Sequence, residues 1–158
     1  MAVARDPLAR VRKLVAALPE TSERLSHGAP TFWGGKRTFA SFAANHHGDG
    51  RVALWCKLPP GAQEALVEAD AELFFVPPYV GPSGWVGIRL DREVDWGVVA
   101  GLLEEGWRMV APRRALEALD ARREARARAG ARGERTAPAA VRARSPGGRA
   151  GRRTGPLR

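Results

Sequence analysis

Two tryptophans and two cations are the residues of this sequence best suited to contact a ligand. Trp55 and Lys57 alternate with apolar residues along one predicted strand, and Trp85 and Arg89 do so along another. Alternate side chains of a strand share one face, so all four would share a face if the strands pair. Aromatic rings flanked by cations can stack on bases and contact phosphates. This pattern would suit nucleic-acid binding, but the favoured alternative at these residues is that both indoles pack beneath a loop or the tail, with the cations at the rim.

Four further cations could reach a phosphate backbone. Lys36 and Arg37 lie at the tip of a predicted hairpin, and Arg113 and Arg114 begin the last predicted helix. Gly34–Thr38 resembles the end of a phosphate-binding loop, but the earlier glycine and the following helix of that motif are missing. The predicted nucleic-acid site therefore comprises Lys36, Arg37, Trp55, Lys57, Trp85, Arg89, Arg113 and Arg114.

The sequence predicts no catalytic residue, metal site or cofactor. His46 and His47 are adjacent, with Asp49 nearby, but neighbouring side chains diverge in extended chain, so a solvated loop is favoured over a metal site. Cys56 alternates with apolar residues and is expected to be an ordinary buried thiol. His27 precedes a predicted turn, and a structural role is favoured for its side chain over a functional one.

The positive charge is concentrated at the C-terminal end. The formal charge is +9, but residues 121–158 hold twelve arginines against two glutamates, or +10. Residues 1–120 then hold fourteen basic and fifteen acidic residues, or −1. An arginine-rich segment binds polyanions through counterion release, without sequence preference. The alternative to polyanion binding is that codon bias produced this tail as an extension without a selected role.

Periodicity predicts the elements that position these residues. Asp6 should cap a helix that starts at Pro7, and Pro19–Pro30 is predicted to be a polar connection. Thr31–Trp33 and Arg37–Ala44 then flank a Gly-Gly turn, which is a strong hairpin signal. The remaining predicted elements are a loop at 45–50, a strand at 51–57, a helix after 59–60, strands at 73–76 and 85–90, a helix capped by Asp95, and a last helix after 112.

These elements predict an α+β fold with an antiparallel sheet. Strands and helices are segregated, and no regular βαβ alternation is present. Helices should cover the sheet face that bears Val52, Leu54, Val86 and Ile88, and leave the opposite face partly open to water. After Gly130 the composition offers almost nothing to bury, so disorder is predicted beyond about residue 130.

Several short blocks resemble the MmcQ/YjbR-like family. They are Gly28-Ala29-Pro30-Thr31-Phe32, Gly35-Lys36, Phe39-Ala40, Lys57, Pro78-Tyr79 with Gly81, Gly84-Trp85-Val86, and Trp107-Arg108-Met109-Val110-Ala111-Pro112. The blocks follow the family's order over about residues 5–120, and Trp107 stands where the family often has tyrosine. The resemblance implies a fold like that of CyaY and frataxin. It also implies a DNA-binding label, which rests on likeness to a double-wing module.

The prediction is a cytoplasmic bacterial monomer without a membrane segment. Residues 5–120 form the α+β domain, and residues 121–158 form the basic tail. The leading function is non-enzymatic binding of DNA or another nucleic acid through the hairpin and the open sheet face, with nonspecific help from the tail. The alternative is a small-ligand or protein-interaction module that uses the aromatic face. A third possibility, an enzyme, is supported by no group of residues in the sequence.

Overall fold

A computed structural model describes residues 2–136 and confirms the α+β class. Its elements are α1 (Pro7–Ala16), β1 (Thr21–Ser26), β2 (Ala29–Gly34), β3 (Arg37–Ala44), β4 (Val52–Cys56), α2 (Ala62–Ala69), β5 (Phe74–Phe75), β6 (Val86–Arg89), α3 (Trp96–Arg108) and α4 (Arg113–Thr136), with 3-10 turns at His46–Gly48 and Gly81–Ser83. All strand pairs are antiparallel, in the spatial order β1-β2-β3-β4-β6-β5. No helix within residues 2–136 combines the length and the apolar character needed to cross a bilayer.

Side-chain caps fix the starts of α1 and α3, as predicted. The Asp6 carboxylate accepts a hydrogen bond from the Ala9 amide at 2.9 Å, and Pro7 occupies the first helical position. The Asp95 carboxylate accepts one from the Gly97 amide at 2.8 Å. Each cap satisfies an amide that has no partner within the helix.

The prediction of a polar connection over Pro19–Pro30 was wrong, because this segment contains β1. The strand pairs along its whole length with β2. His27 and Gly28 join the two strands, both with positive φ (49° and 77°), as a two-residue type I′ turn requires. A polar edge strand lacks apolar alternation, so its formation depends on pairing with β2 rather than on its own sequence.

The helices cover one face of the sheet, which we call the helical face. Its core contains the apolar residues of all major elements, including Val11, Phe32, Phe39, Leu54, Val86, Ile88, Val99, Leu103 and Trp107. A Cβ at Gly106 would lie 2.5 Å from the Lys57 carbonyl oxygen and 3.3 Å from that of Phe39. Glycine therefore allows α3 to approach the backbone of β3 and the end of β4 closely.

Helix α4 extends further along the chain than the predicted domain. One compact unit reaches Glu124, and the helix continues to Thr136. It therefore includes residues 121–136 of the predicted tail, among them 130–136, for which disorder was predicted. Residues 137–158 lie outside the described part of the chain.

Candidate ligand-binding pocket

The outer face of the sheet, opposite the helical face, carries a row of residues from five neighbouring strands. The register pairs Thr31 with Ser41, Ser41 with Trp55, Trp55 with Gly87, and Gly87 with Phe75. A Cβ at Gly87 would clash with the Phe75 ring, so glycine leaves the space that this ring occupies. The row therefore passes from two hydroxyls through an indole to a phenyl ring.

A second, smaller apolar cluster lies on the outer face. It comprises Ala43, Ala53, Trp55 and Trp85, with Phe75 and Val80 packed against it. The two tryptophans come together as predicted, but each is only 7% exposed. The outer face, predicted to be partly open to water, is therefore covered at both tryptophans, because side chains from neighbouring loops pack over them.

A cavity of about 540 Å³ opens beside this cluster. Its wall contains Ser26, His27, Ala29, Thr31, Thr38, Ser41, Ala43, His46, His47, Trp55, Tyr79, Val80 and Trp85. Among these described lining residues there is no aspartate, glutamate, lysine or arginine. The lining instead combines large aromatic rings with hydroxyls and imidazoles, a composition typical of small-molecule sites.

Two polar atoms at this cavity are buried without a hydrogen-bond partner. They are Nε1 of Trp55 and Nε2 of His46, the only such side-chain atoms among the described residues. The two rings meet edge to face, with centroids 4.8 Å apart. A buried polar group that lacks a partner costs about 1–3 kcal/mol. Since native structures pair nearly all such groups, these two atoms call for an explanation.

The rim of the cavity is held by a contact between two loops. The Tyr79 hydroxyl lies 3.2 Å from Nε2 of His47, and Tyr79 is 75% exposed. Among the described residues five other than glycine have positive φ, and three of them, His27, His47 and Tyr79, line the cavity. Unusual backbone conformations concentrate at functional sites, where the surrounding structure maintains them.

A buried glutamine holds residues 81–85, the segment that ends in Trp85 of the cavity wall. The side-chain amide of Gln63, in α2, donates to the Gly81 carbonyl at 2.8 Å and also to the Trp85 carbonyl. Gln63 is one of the two buried polar residues among those described; the other is Thr31. The Thr31 and Ser41 hydroxyls lie 3.2 Å apart. Hydrogen bonds thus hold two parts of the cavity wall in place: the segment that ends in Trp85 and the pair Thr31 and Ser41.

The four predicted cations of the hairpin and of α4 lie at another end of the molecule. The β2–β3 turn packs on Pro112, since a Cβ at Gly35 would lie 3.1 Å from that ring. Three of these cations have protein partners: Arg37 donates to the Met109 carbonyl, Arg113 pairs with Glu117, and Arg114 pairs with Glu20. Lys36 is exposed at the tip of the turn. This end therefore carries both signs of charge.

The remaining predicted cations do not border the cavity. Arg89 forms a bidentate pair with Asp91, and the hydrogen bonds from Arg89 lower the pKa of the Asp91 carboxyl. Lys57 is half-buried. The structure therefore distributes the eight predicted residues over separate surfaces, and it brings only Trp55 and Trp85 together at the cavity. Cys56 is fully buried, as expected, and burial raises the pKa of its thiol.

Sequence reasoning missed the three histidines and Gln63 as parts of the site. A solvated loop is the sequence-based expectation for His46 and His47, but the His46 ring packs on Trp55. His27, expected to be structural, also lines the cavity. The Tyr79–Gly81 block is recognisable from its family pattern, whereas Gln63 has no sequence signal that distinguishes it from a solvent-exposed polar residue in a helix.

Comparisons with known proteins identify relatives of the chain. A family model described as YjbR matches residues 16–109. Among solved structures, the chain is similar to the Deinococcus radiodurans protein DR2400, described by the domain DUF419, with a TM-score of 0.56 and 20% sequence identity. The match covers 70% of this chain and 85% of that one, and at this identity it shows a shared fold. No curated protein matches.

Proposed function

The chain belongs to the YjbR family, and from this premise we propose that it binds a small molecule in the cavity on the outer face of its sheet. The observation that carries the proposal is the unpaired, buried indole N–H of Trp55 in the wall of a cavity of about 540 Å³. A structure optimised only for stability would pair this group or replace it. A bound ligand gives a reason for keeping it.

The size and lining of the cavity support the same proposal. Small-molecule sites enclose roughly 300–1,000 Å³ and combine apolar walls with a few polar groups. Here the indoles of Trp55 and Trp85 and the phenol of Tyr79 supply apolar area, while Thr31 and Ser41 supply hydroxyls. Gln63 and the paired hydroxyls hold these walls before any ligand binds, which lowers the entropic cost of binding.

Blocking the cavity tests this proposal. Ser41→Phe would place a ring inside the cavity, whereas Ser22→Phe makes the same change on the same sheet face outside the described cavity lining. A library of small aromatic and heteroaromatic compounds would be screened by ligand-observed NMR. We expect wild-type protein and Ser22→Phe to bind the same compounds, and Ser41→Phe to lose them. Equal binding by both variants, or no binding to folded wild-type protein, would contradict the proposal.

Nucleic-acid binding is a second candidate, supported by α4 rather than by the sheet. Between Arg113 and Thr136 the helix has eight arginines and four acidic residues, and residues 121–135 are all exposed. Exposed arginines on a helix can neutralise phosphates without reading bases. The buried tryptophans do not offer base stacking, so binding through an open sheet face has no support.

Charge removal on the full-length chain tests this second candidate. Arg122→Gln with Arg126→Gln removes two cations from α4, and Lys36→Gln with Arg37→Gln removes two from the β2–β3 hairpin. Anisotropy of fluorescein-labelled duplex DNA would be measured across a range of salt. We expect only the α4 variant to flatten the salt dependence of binding, by roughly 0.9 for each phosphate that the helix no longer neutralises. Equal effects of both variants would show that α4 has no special role.

A further inference from the structure

The unpaired N–H of Trp55 also restricts the chemistry of the ligand. Resting on the proposed function, we infer that the ligand is an uncharged, planar heteroaromatic compound whose carbonyl or ring nitrogen accepts a hydrogen bond from Trp55 Nε1. This chemical class of ligand follows from three properties of the cavity: the charge of its lining, its aromatic side chains and the unpaired N–H of Trp55.

The lining of the cavity disfavours strongly ionic ligands. Among the described lining residues none carries a carboxylate, ammonium or guanidinium group. The nearby guanidinium groups are engaged elsewhere: Arg89 pairs with Asp91, Arg51 lies over the Phe75 ring, and Arg24 lies over the Trp33 ring. Burying an ionised group without an opposite charge is costly. A quaternary amine would therefore find no carboxylate, and a phosphate or sulfate no ammonium or guanidinium group, among the described residues of this cavity.

The rings of the cavity favour a planar ligand. Trp55 and Trp85 form the buried part of the wall, beside the small side chain of Ala43, and Tyr79 lies at the rim. Aromatic side chains offer large flat areas that pair with other rings in offset or edge-to-face geometry. His46 already uses one such edge-to-face position on Trp55. A heteroaromatic ring can take the same position.

The unpaired donor requires an acceptor. The indole N–H only donates, so its partner must carry a lone pair. Both Nε1 of Trp55 and Nε2 of His46 are closed to solvent, and the His46 ring packs on the indole, so we expect this ring to turn away when a ligand reaches the indole. This movement breaks no side-chain hydrogen bond of Nε2, because that nitrogen has no partner among the described residues. The turn that carries the ring, His46–Gly48, has no buried residue.

A matched pair of probes tests the inference. Quinoline and naphthalene have nearly the same shape, but only quinoline carries a ring nitrogen that accepts a hydrogen bond. Calorimetric titration of the full chain at neutral pH should show quinoline binding roughly tenfold tighter, since a net hydrogen bond has about that effect. Trp55→Phe keeps an aromatic ring and removes the donor, so it should reduce the ratio to about one. Trp33→Phe makes the same truncation on the same sheet face, outside the described cavity lining, and should retain the ratio.

The outcomes separate this inference from the proposed function. Equal affinities of wild-type protein for the two probes would overturn the acceptor requirement, while the cavity would remain a small-molecule site. A quinoline preference that survives Trp55→Phe would also overturn it, because the hydrogen bond would then lie elsewhere. If neither probe binds and every library compound blocked by Ser41→Phe lacks a heteroaromatic acceptor, the ligand class is wrong and the site stands. The wild-type comparison needs no variant to fold.

Discussion

Trp107 and Trp55 are both buried tryptophans, one on each face of the sheet, and they differ in one hydrogen bond. Trp107 is fully buried on the helical face, and its Nε1 donates to the Pro19 carbonyl at 3.1 Å. Trp55 is 7% exposed on the outer face, and its Nε1 has no partner among the described residues. The first arrangement is that of a structural residue. The second keeps a donor available at a cost in stability, as binding sites do.

The helical face should tolerate added volume least. Gly106→Val would place side-chain atoms against the carbonyl oxygens of Lys57 and Phe39, and backbone cannot move aside as a side chain can. We expect a loss of at least about 3 kcal/mol in the free energy of unfolding, measured by urea denaturation. Gly101→Val, in the same helix but with no atom near its Cβ, is the matched control and should cost much less. Equal losses would contradict the assignment of the Gly106 effect to close approach, because valine is a better helix former than glycine.

Removing each indole N–H should distinguish the two tryptophans. Trp107→Phe shrinks a fully buried side chain and leaves the Pro19 carbonyl without its donor, so we expect a cost of about 2–3 kcal/mol. Trp55→Phe also shrinks a buried side chain but removes an unsatisfied donor, so the cost should be about 1 kcal/mol or less. Urea denaturation of both variants beside the wild-type protein measures the difference. A larger loss of stability for Trp55→Phe would contradict the assignment of its N–H as unpaired.

Gln63 connects the fold to the outer cavity. Gln63→Leu keeps the approximate volume but leaves the carbonyls of Gly81 and Trp85 without their donor. We expect a loss of about 1–2 kcal/mol in the free energy of unfolding and faster amide hydrogen exchange across residues 81–85. Uniform acceleration of exchange throughout the sheet, without a local effect, would show that Gln63 contributes only global stability.

The smallest effect concerns an ion cluster on the helical side. Hydrogen bonds from Arg123 and then Arg108 lower the pKa of Glu104 below its ordinary value of 4.5. A lowered folded-state pKa stabilises the protein above the ordinary value, and this contribution is lost as pH falls through the folded-state pKa. Glu104→Gln should therefore cost about 1 kcal/mol or less at neutral pH, with a difference from wild type that shrinks in acid. A difference that is constant with pH would contradict this assignment.

Sequence reasoning located the elements of the helical face because their signals are local. Apolar periodicity and the caps at Asp6 and Asp95 fixed the helices, and alternation in β4 and β6 correctly divided their residues between the two faces. It could not find β1, a polar edge strand that forms only by pairing. It placed Trp55 and Trp85 on one face and offered burial beneath a loop as an alternative, but it could not identify the residues that cover them.

The site was less predictable than the fold because distant loops complete it. His46 and Tyr79 are far apart in the chain, and their proximity depends on how two irregular segments cross the outer face. The predicted cations stay a prediction as a nucleic-acid site, and sequence reasoning could not show which of them pair with other residues. Arg114 finds Glu20 only in the folded structure, and an isolated sequence does not show which charges pair.

The most direct test compares the indole N–H signals of Trp55 and Trp107 in a two-dimensional ¹H–¹⁵N spectrum while neutral heteroaromatic compounds are added. Trp55→Phe and Trp107→Phe assign the two signals. A ligand that enters the outer cavity should shift the Trp55 signal and leave that of Trp107 in place, because only the former lacks a partner among the described residues. A Trp55 signal that stays unmoved by every compound, or that moves only together with that of Trp107, would contradict a binding site on the outer face.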